Sequence, residues 1–402
     1  MTNLRDVNLT IRHSSYSLPM SGDRALVCSE VDMGYNASIS SWNLTDNDVH
    51  TNSAYIDNTT SSVAKAIPEM PLYILVTSTL LYVIIFLTGT IGNSVVAAVV
   101  GLRQDMRTST NLFLVNLAVA DLMVITVCMP TALVDIYAKD IWHFGATMCT
   151  LVPMLENCAA HASVLTMMVI ASERFQAICH PLRIRDTKIY SKSMKLFIVI
   201  FIWFISMLTS MPFIGISVYR DSSYYDGTPI KVCRQSIVLP WQKGYIVCLC
   251  VVFFTLPFVV LGILYLIIAR ALVREFRFSD KLDEQRCHSK NKARRRVVIM
   301  LVIITLLFFF FHLPFRTVGM WMIFASPAKV RALGFEGFWN LLCFARIMFY
   351  LNSCTNPIVY SLISTKFRRA FIRTCLGKRR SVSRENTCTT AGTHISLKVM
   401  HK

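Results

Sequence analysis

Charge is scarce in this chain. Asp, Glu, Lys and Arg make up 16% of its 402 residues, where a soluble domain carries about 25%, and its mean hydropathy is +0.50. That balance excludes an ordinary water-soluble domain. No internal repeat is present, which excludes a solenoid. No apolar stretch near Met1 has the form of a cleavable signal peptide, so the first long apolar run is expected to serve as the insertion signal. Acidic residues are the scarcer sign, 23 against 41 Lys and Arg. The net charge of +18 would suit nucleic acid, but its distribution excludes that partner.

Seven apolar runs are present, near 72–100, 111–137, 146–179, 195–218, 243–274, 294–325 and 338–363. A hydrocarbon core about 30 Å thick needs roughly 20 apolar residues per helix, and backbone polar groups in lipid must be satisfied within the segment. The expected fold is an all-α membrane protein, a seven-transmembrane helix bundle over 71–363. The second, third and seventh runs hold Asp121, Glu156 and Arg346, which lowers their hydropathy. Polar residues inside a span usually face the bundle interior and are functional.

The excess of Lys and Arg falls in three places: Arg183 to Lys195, Arg270 to Arg296, and Lys366 to Arg384. All three lie on one side of a seven-helix chain, which makes that side cytoplasmic and the N-terminus extracellular. A basic inner surface also suits anionic lipid headgroups. Residues 1–70 instead carry eight acidic residues against Arg5, Arg12, Arg24 and Lys65, and hold four glycosylation sequons, at Asn8, Asn36, Asn43 and Asn58. This tail is expected to be extracellular, glycosylated and disordered. Of 13 cysteines, most sit in the runs. Cys149, at the start of the third, and Cys233, before the fifth, lie on the oxidising side, which favours a disulfide between them. Cys28 has no assigned partner.

After the seventh run, Phe367, Phe371 and Ile372 share one helical face flanked by Arg368, Arg369 and Arg373. Residues 364–377 are expected to form a short amphipathic helix on the membrane surface. Cys375 at its end suits palmitoylation, or remains an unmodified thiol. Residues 378–402 are expected to be a disordered cytoplasmic tail, whose Ser381, Ser383, Thr387, Thr389 and Thr390 offer phosphorylation sites.

Several strings identify a resemblance. GTIGN ends at Asn93, NLAVAD ends at Asp121, and SERFQAICHPL surrounds Arg174. Trp203, Pro257, HLPF at 312–315 and NSCTNPIVY at 352–360 follow in order. Over about 72–376 the chain resembles the rhodopsin-like (class A) family of G-protein-coupled receptors. The resemblance implies an extracellular ligand, a heterotrimeric G protein, and arrestin engaging a phosphorylated tail. PFRTV at 314–318 and FARIMFYLNS at 344–353 are similar to thyrotropin-releasing-hormone receptors. CTLVPMLENCAAHASVLT at 149–166 is similar to ecdysis-triggering-hormone receptors. Growth-hormone-secretagogue and neuromedin U receptors are related. The implied function is reception of a small neuropeptide, such as a short amidated peptide, with Gq-type coupling and calcium release. The alternative is a receptor of the growth-hormone-secretagogue or neuromedin U type, or an orphan receptor for a non-peptide ligand. No cofactor is expected apart from an allosteric sodium ion.

Asp121, Ser163, Asn352 and Asn356 are small polar residues at mid-membrane depth. The resemblance implies a sodium ion among them; a purely structural polar knot is the other reading. At the cytoplasmic end, Arg174 is expected to pair with Glu173. Phe175 replaces the family's usual tyrosine, and Arg294 stands where some relatives carry an acid. Leu182, Tyr265 and Tyr360 match positions the family uses in G-protein coupling. In the sixth run, Pro314 removes a backbone hydrogen bond and permits a kink. Phe308 lies below it, and His312 stands where the family usually has tryptophan. A neutral histidine bonded to a neighbour is the expected reading.

An arginine at the centre of a span costs about 2.5–3.5 kcal/mol on insertion scales. This chain carries Arg316 and Arg346 there, expected to converge with Glu156. Glu156, Asn157, Phe315, Arg316, Arg346 and Tyr350 form the expected ligand site, one arginine neutralised by Glu156; an internal ion-pair network is the structural alternative. Tyr350 stands where an opsin needs its Schiff-base lysine, which excludes retinal. Glu156 stands where an amine receptor carries aspartate. His161 and His312 are isolated, which excludes a clustered metal site of a membrane hydrolase, and no broken helices suggest transport. The chain is expected not to be an enzyme.

Overall fold

The structure, a computed structural model, describes residues 69–138, 141–180, 192–223, 228–279 and 285–375. The four sequons, Cys28, Leu182 and the C-terminal phosphorylation candidates lie outside the described residues.

Seven long helical segments run through the described chain. The first span is Leu72–Leu102 and the second Ser109–Tyr137, interrupted by a π-helical turn at Val124–Cys128. The third is Gly145–Cys179 and the fourth Lys192–Ser210. The fifth begins at Pro240, passes through a π turn at Val251–Thr255 and ends as Leu256–Ser279. The sixth is Gln285–Phe324, the seventh Gly334–Ile363. Six of these contain stretches long and apolar enough to cross a membrane. The 30-residue seventh is the exception, because Arg346, Asn352, Asn356 and their polar neighbours dilute its hydropathy.

Burial separates the centre of the bundle from its edge. In the most apolar stretches, 67% of third-span residues are buried but only 22% of those in the fourth and fifth spans. The third span is therefore the central post, packed against the second, fourth and fifth. The first packs on the second and seventh, and the seventh on the sixth. The outer faces expose Leu80, Ile84, Phe197, Phe201, Phe204, Val259, Leu266 and Phe310, among others. Such continuous apolar surface is a liability in water and the expected lining against lipid.

Interhelical hydrogen bonds fix this packing. Trp203 Nε1 donates to Asn116 Oδ1 at 2.8 Å, and Asn116 Nδ2 donates to Thr166 Oγ1 at 2.8 Å, which joins the second, third and fourth spans. Asn93 Nδ2 donates to the Ser353 carbonyl at 2.7 Å across the first and seventh. Each such bond between spans is worth about 0.6–2 kcal/mol. A Cβ on Gly92 would stand 2.8 Å from Pro357 Cβ, so the absence of a side chain permits that close approach.

Two departures from expectation have physical causes. The all-α expectation omitted a β-hairpin, β1 (Ser217–Ser223) paired antiparallel with β2 (Pro229–Gln235), between the fourth and fifth spans. Its strands have seven residues each, too few for either to carry a long alternating pattern. The basic segment from Arg270 to Arg296, between the fifth and sixth apolar runs, is largely helical: the fifth helix continues to Ser279 and the sixth starts at Gln285. Lys, Arg and Gln are good helix formers, so these helices continue past the apolar runs. The amphipathic helix is observed at Thr365–Cys375, with Phe367 buried against Tyr360.

Candidate functional site

The outer ends of the spans enclose a cavity of about 140 Å³. At about 30 Å³ per water in the liquid, that is room for roughly five waters, or for a few side chains of an entering ligand. Its roof is the hairpin. Cys149 and Cys233 are joined by a disulfide, Cα atoms 5.6 Å apart, which ties β2 to the head of the third span. Trp142 bonds through its backbone N–H to the Lys231 carbonyl at 2.7 Å and through Nε1 to the Gly145 carbonyl at 2.8 Å, holding the rim. Gly145 has φ 73°, a left-handed turn that favours glycine, where the third span begins.

All six residues expected to bind ligand line this cavity. Their pairings differ from expectation in one respect. Glu156 does not take an arginine as its hydrogen-bond partner; it accepts from Tyr350 Oη at 2.6 Å. Arg346 instead forms an ion pair with Asp135 of the second span, Nη1 to Oδ2 at 2.8 Å. Arg316 donates to Asn157 Oδ1 at 3.1 Å. Asn157 is oriented for this, since its Nδ2 is held by the Pro153 carbonyl at 2.9 Å, leaving the oxygen to face Arg316. Phe315 packs on Phe349, ring centres 4.9 Å apart.

Two charged cavity residues were not anticipated from the sequence. Asp135 was visible as a carboxylate inside an apolar run, but the π turn inserts an extra residue and rotates everything beyond it by about 100° relative to a regular helix. Counting faces from Asp121 therefore fails. Arg234, buried in β2, enters the cavity only because the hairpin folds over it.

Below the cavity, His312 is buried. Its Nδ1 lies 2.9 Å from the Phe308 carbonyl, which can only accept, so Nδ1 carries the proton. The ring stacks on Phe308 at 4.0 Å and meets the edge of Phe349 at 5.1 Å. Pro314 lies two residues outward within the same continuous helix. His161 is separate: it stacks on Phe253 and faces Thr209 at 3.2 Å.

Deeper still, Asn356 Nδ2 donates to Asp121 Oδ2 at 2.8 Å. Ser163 and Asn352 are also buried, but neither is hydrogen-bonded to Asp121. The set fits a hard cation in chemistry, one carboxylate with neutral amide and hydroxyl oxygens.

At the inner end, Arg174 pairs with Glu173 at 3.3 Å, as expected, and also donates to Thr110 of the second span. Thr110 in turn donates to Glu173 at 3.3 Å. Tyr265 accepts from Thr305 at 3.3 Å, and Tyr360 is buried. Arg174 and Tyr360 line a second cavity with Arg296, Ser364 and Phe367.

A bundle of seven spans with a charged pocket at its outer end and an arginine-centred cleft at its inner end is the architecture of a transmembrane receptor. Comparison with known proteins fixes which kind. The family described as 7 transmembrane receptor (rhodopsin family) matches residues 92–360. Galanin receptor type 2 of Homo sapiens is 33% identical over 319 residues, covering 78% of each chain. The thyrotropin-releasing hormone receptor of Bos taurus is 30% identical over 331 residues, 77% of this chain and 80% of the relative. The growth hormone secretagogue receptor type 1 of Sus scrofa is 30% identical over 325 residues, 78% and 84%. The chain belongs to the rhodopsin family of seven-transmembrane receptors. It is a multi-pass plasma-membrane receptor and not an enzyme. The thyrotropin-releasing-hormone resemblance reappears among these relatives, whereas the galanin receptors were not anticipated.

The Asp135–Arg346 pair is nearly enclosed, with side-chain exposures of 6% and 16%. Removing one partner of such a pair leaves an uncompensated charge and costs about 3–5 kcal/mol, whereas replacing both can be neutral. Asp135→Leu alone is therefore expected to lower the thermal midpoint and surface level of the purified chain. Asp135→Leu with Arg346→Met is expected to recover most of both. Additive losses in the double variant would show that the two residues act separately.

Proposed function

We propose that this chain is a receptor for a short extracellular peptide and signals through a heterotrimeric G protein, of the Gq type that releases calcium. The observation that carries the reading is the outer cavity. Three cations (Arg234, Arg316, Arg346) and two carboxylates (Asp135, Glu156) line it, leaving a formal charge of +1. A guanidinium presents a planar fork of donors suited to peptide carbonyls, a carboxylate or an amidated C-terminus. The printed names of the relatives, galanin, thyrotropin-releasing hormone and growth hormone secretagogue receptors, support a peptide.

Coupling would pass through the inner cleft. Arg174, held by Glu173 and Thr110, would be released to meet the partner, with Tyr265 and Tyr360 moving inward beside it. Arrestin would engage the C-terminal tail once phosphorylated, and the amphipathic helix would rest on anionic lipid, anchored by a palmitoyl chain at Cys375.

The test is a calcium-mobilisation screen of cells expressing the chain against short amidated peptides, including those of the relatives. A peptide that raises calcium only in expressing cells is the expected result. Breaking a buried charged contact from one side costs roughly 2–5 kcal/mol. Arg316→Ala is thus expected to weaken that peptide at least tenfold at matched surface level. Unchanged potency would remove Arg316 from the binding site, and activation by non-peptide compounds alone would overturn the peptide reading.

A sodium ion would be held by the Asp121 carboxylate with oxygens of Ser163, Asn352 and Asn356, and would favour the resting arrangement. Sodium is then expected to weaken agonist binding to the original chain, and to do so far less in Asp121→Asn. Equal sodium sensitivity in the two would leave the cluster a structural knot.

A further inference from the structure

A third cavity, of about 550 Å³, opens sideways between the fifth and sixth spans. It faces lipid, not the extracellular water: Leu313 and Phe324 on its wall are 51% and 66% exposed. A groove so placed is expected to be wholly apolar, because hydrocarbon offers no partners to polar groups. This one is not. Arg316 lines it, the exposed Thr317 lies beside Arg316, and the exposed Lys329 stands at its outer rim. No acidic side chain is among its described lining residues.

We infer that this groove binds a single-chain anionic amphiphile, an unesterified fatty acid drawn from the outer leaflet. Three observations select that occupant. The groove opens to lipid, so its ligand arrives through the bilayer and carries an apolar chain. Its only charges are positive, so the polar end is an anion. Phe254 and Leu313, inward of Arg316, offer an apolar wall for the chain. The carboxylate lies by Arg316 and Thr317, and Lys329 draws it in from the rim. Arg316 already donates to Asn157 on the inner side, but a guanidinium carries five N–H donors in a fork and serves two faces at once. Arg316 thus forms a shared wall between the lateral groove and the outer cavity. A fatty acid on one side competes for the cation that the other side offers. Binding at the groove does not require the peptide reading, and a direct binding measurement separates the two.

The experiment uses the full chain in nanodiscs with a diazirine-bearing palmitate as probe. Photolabelling is expected within Cys250–Thr255 and 313–325, displaced by oleate and not by oleyl alcohol or methyl oleate. Thr317→Trp, which fills the groove from an exposed position, is expected to cut labelling about tenfold, a change of about 1.4 kcal/mol. Lys329→Ala is expected to weaken displacement by oleate, and the thermal midpoint of each variant shows that it is folded. Equal displacement by the methyl ester, undiminished labelling of folded Thr317→Trp, or labelling by a diazirine phospholipid in preference to the free acid each overturns the inference.

Discussion

Arginine buried in a membrane must find an anion or an array of acceptors, and the outer half of this bundle is organised around meeting that demand. Arg346 on the seventh span is answered by Asp135 on the second at 2.8 Å. Tyr350, one turn inward, bridges to Glu156 on the third at 2.6 Å. Arg316 on the sixth reaches Asn157 on the third at 3.1 Å. These contacts draw four spans together around one cavity. Against apolar neighbours alone, helices in lipid gain little from association, because lipid is as apolar as leucine. The polar contacts therefore help to set which faces meet. The same groups that close the bundle also line the cavity.

Below that layer the contacts become aromatic, then polar again. Phe315 and His312 both touch Phe349, and His312 lies on Phe308. The usual tryptophan would fill the His312 site with a larger ring. Histidine keeps a flat stacking surface and adds a hydrogen bond to the helix carbonyl that precedes the proline kink position. Asp121 and Asn356 then tie the second and seventh spans, and Arg174, Glu173 and Thr110 tie the second and third at the inner end. A displacement of the sixth or seventh span at the outer cavity bears directly on the aromatic layer and on the Asp121–Asn356 contact, since both include residues of those spans.

Hydropathy and sign of charge made the spans and their orientation legible, because a bilayer imposes one length and one composition on any helix that crosses it. The seventh span was legible only by its motif, since Arg346, Asn352 and Asn356 dilute its apolar run. The six expected ligand-site residues do line one cavity, because spans three, six and seven bring them together. The partner of Arg346 was not legible. Helical phase counted from Asp121 is broken by the π turn at Val124–Cys128, and a one-residue shift moves a side chain to another face. Arg234 and the hairpin were hidden because loop geometry follows from the disulfide and from backbone pairing across β1 and β2, which leave no periodic trace. The lateral groove was beyond sequence altogether, since it exists only between two helices placed side by side.

If ligand engages the outer cavity, it must shield side chains there that it does not itself bond. Ile246 on the fifth span lines that cavity and carries no polar group. The direct measurement is the rate at which a membrane-impermeant methanethiosulfonate modifies Ile246→Cys, set against the original chain as background, with and without an activating peptide. Strong protection at saturating peptide is the result expected of a ligand seated between Arg316, Glu156 and the hairpin. An unchanged rate at a peptide concentration that fully activates the receptor would place the ligand elsewhere and leave the charged cavity a structural feature of the bundle.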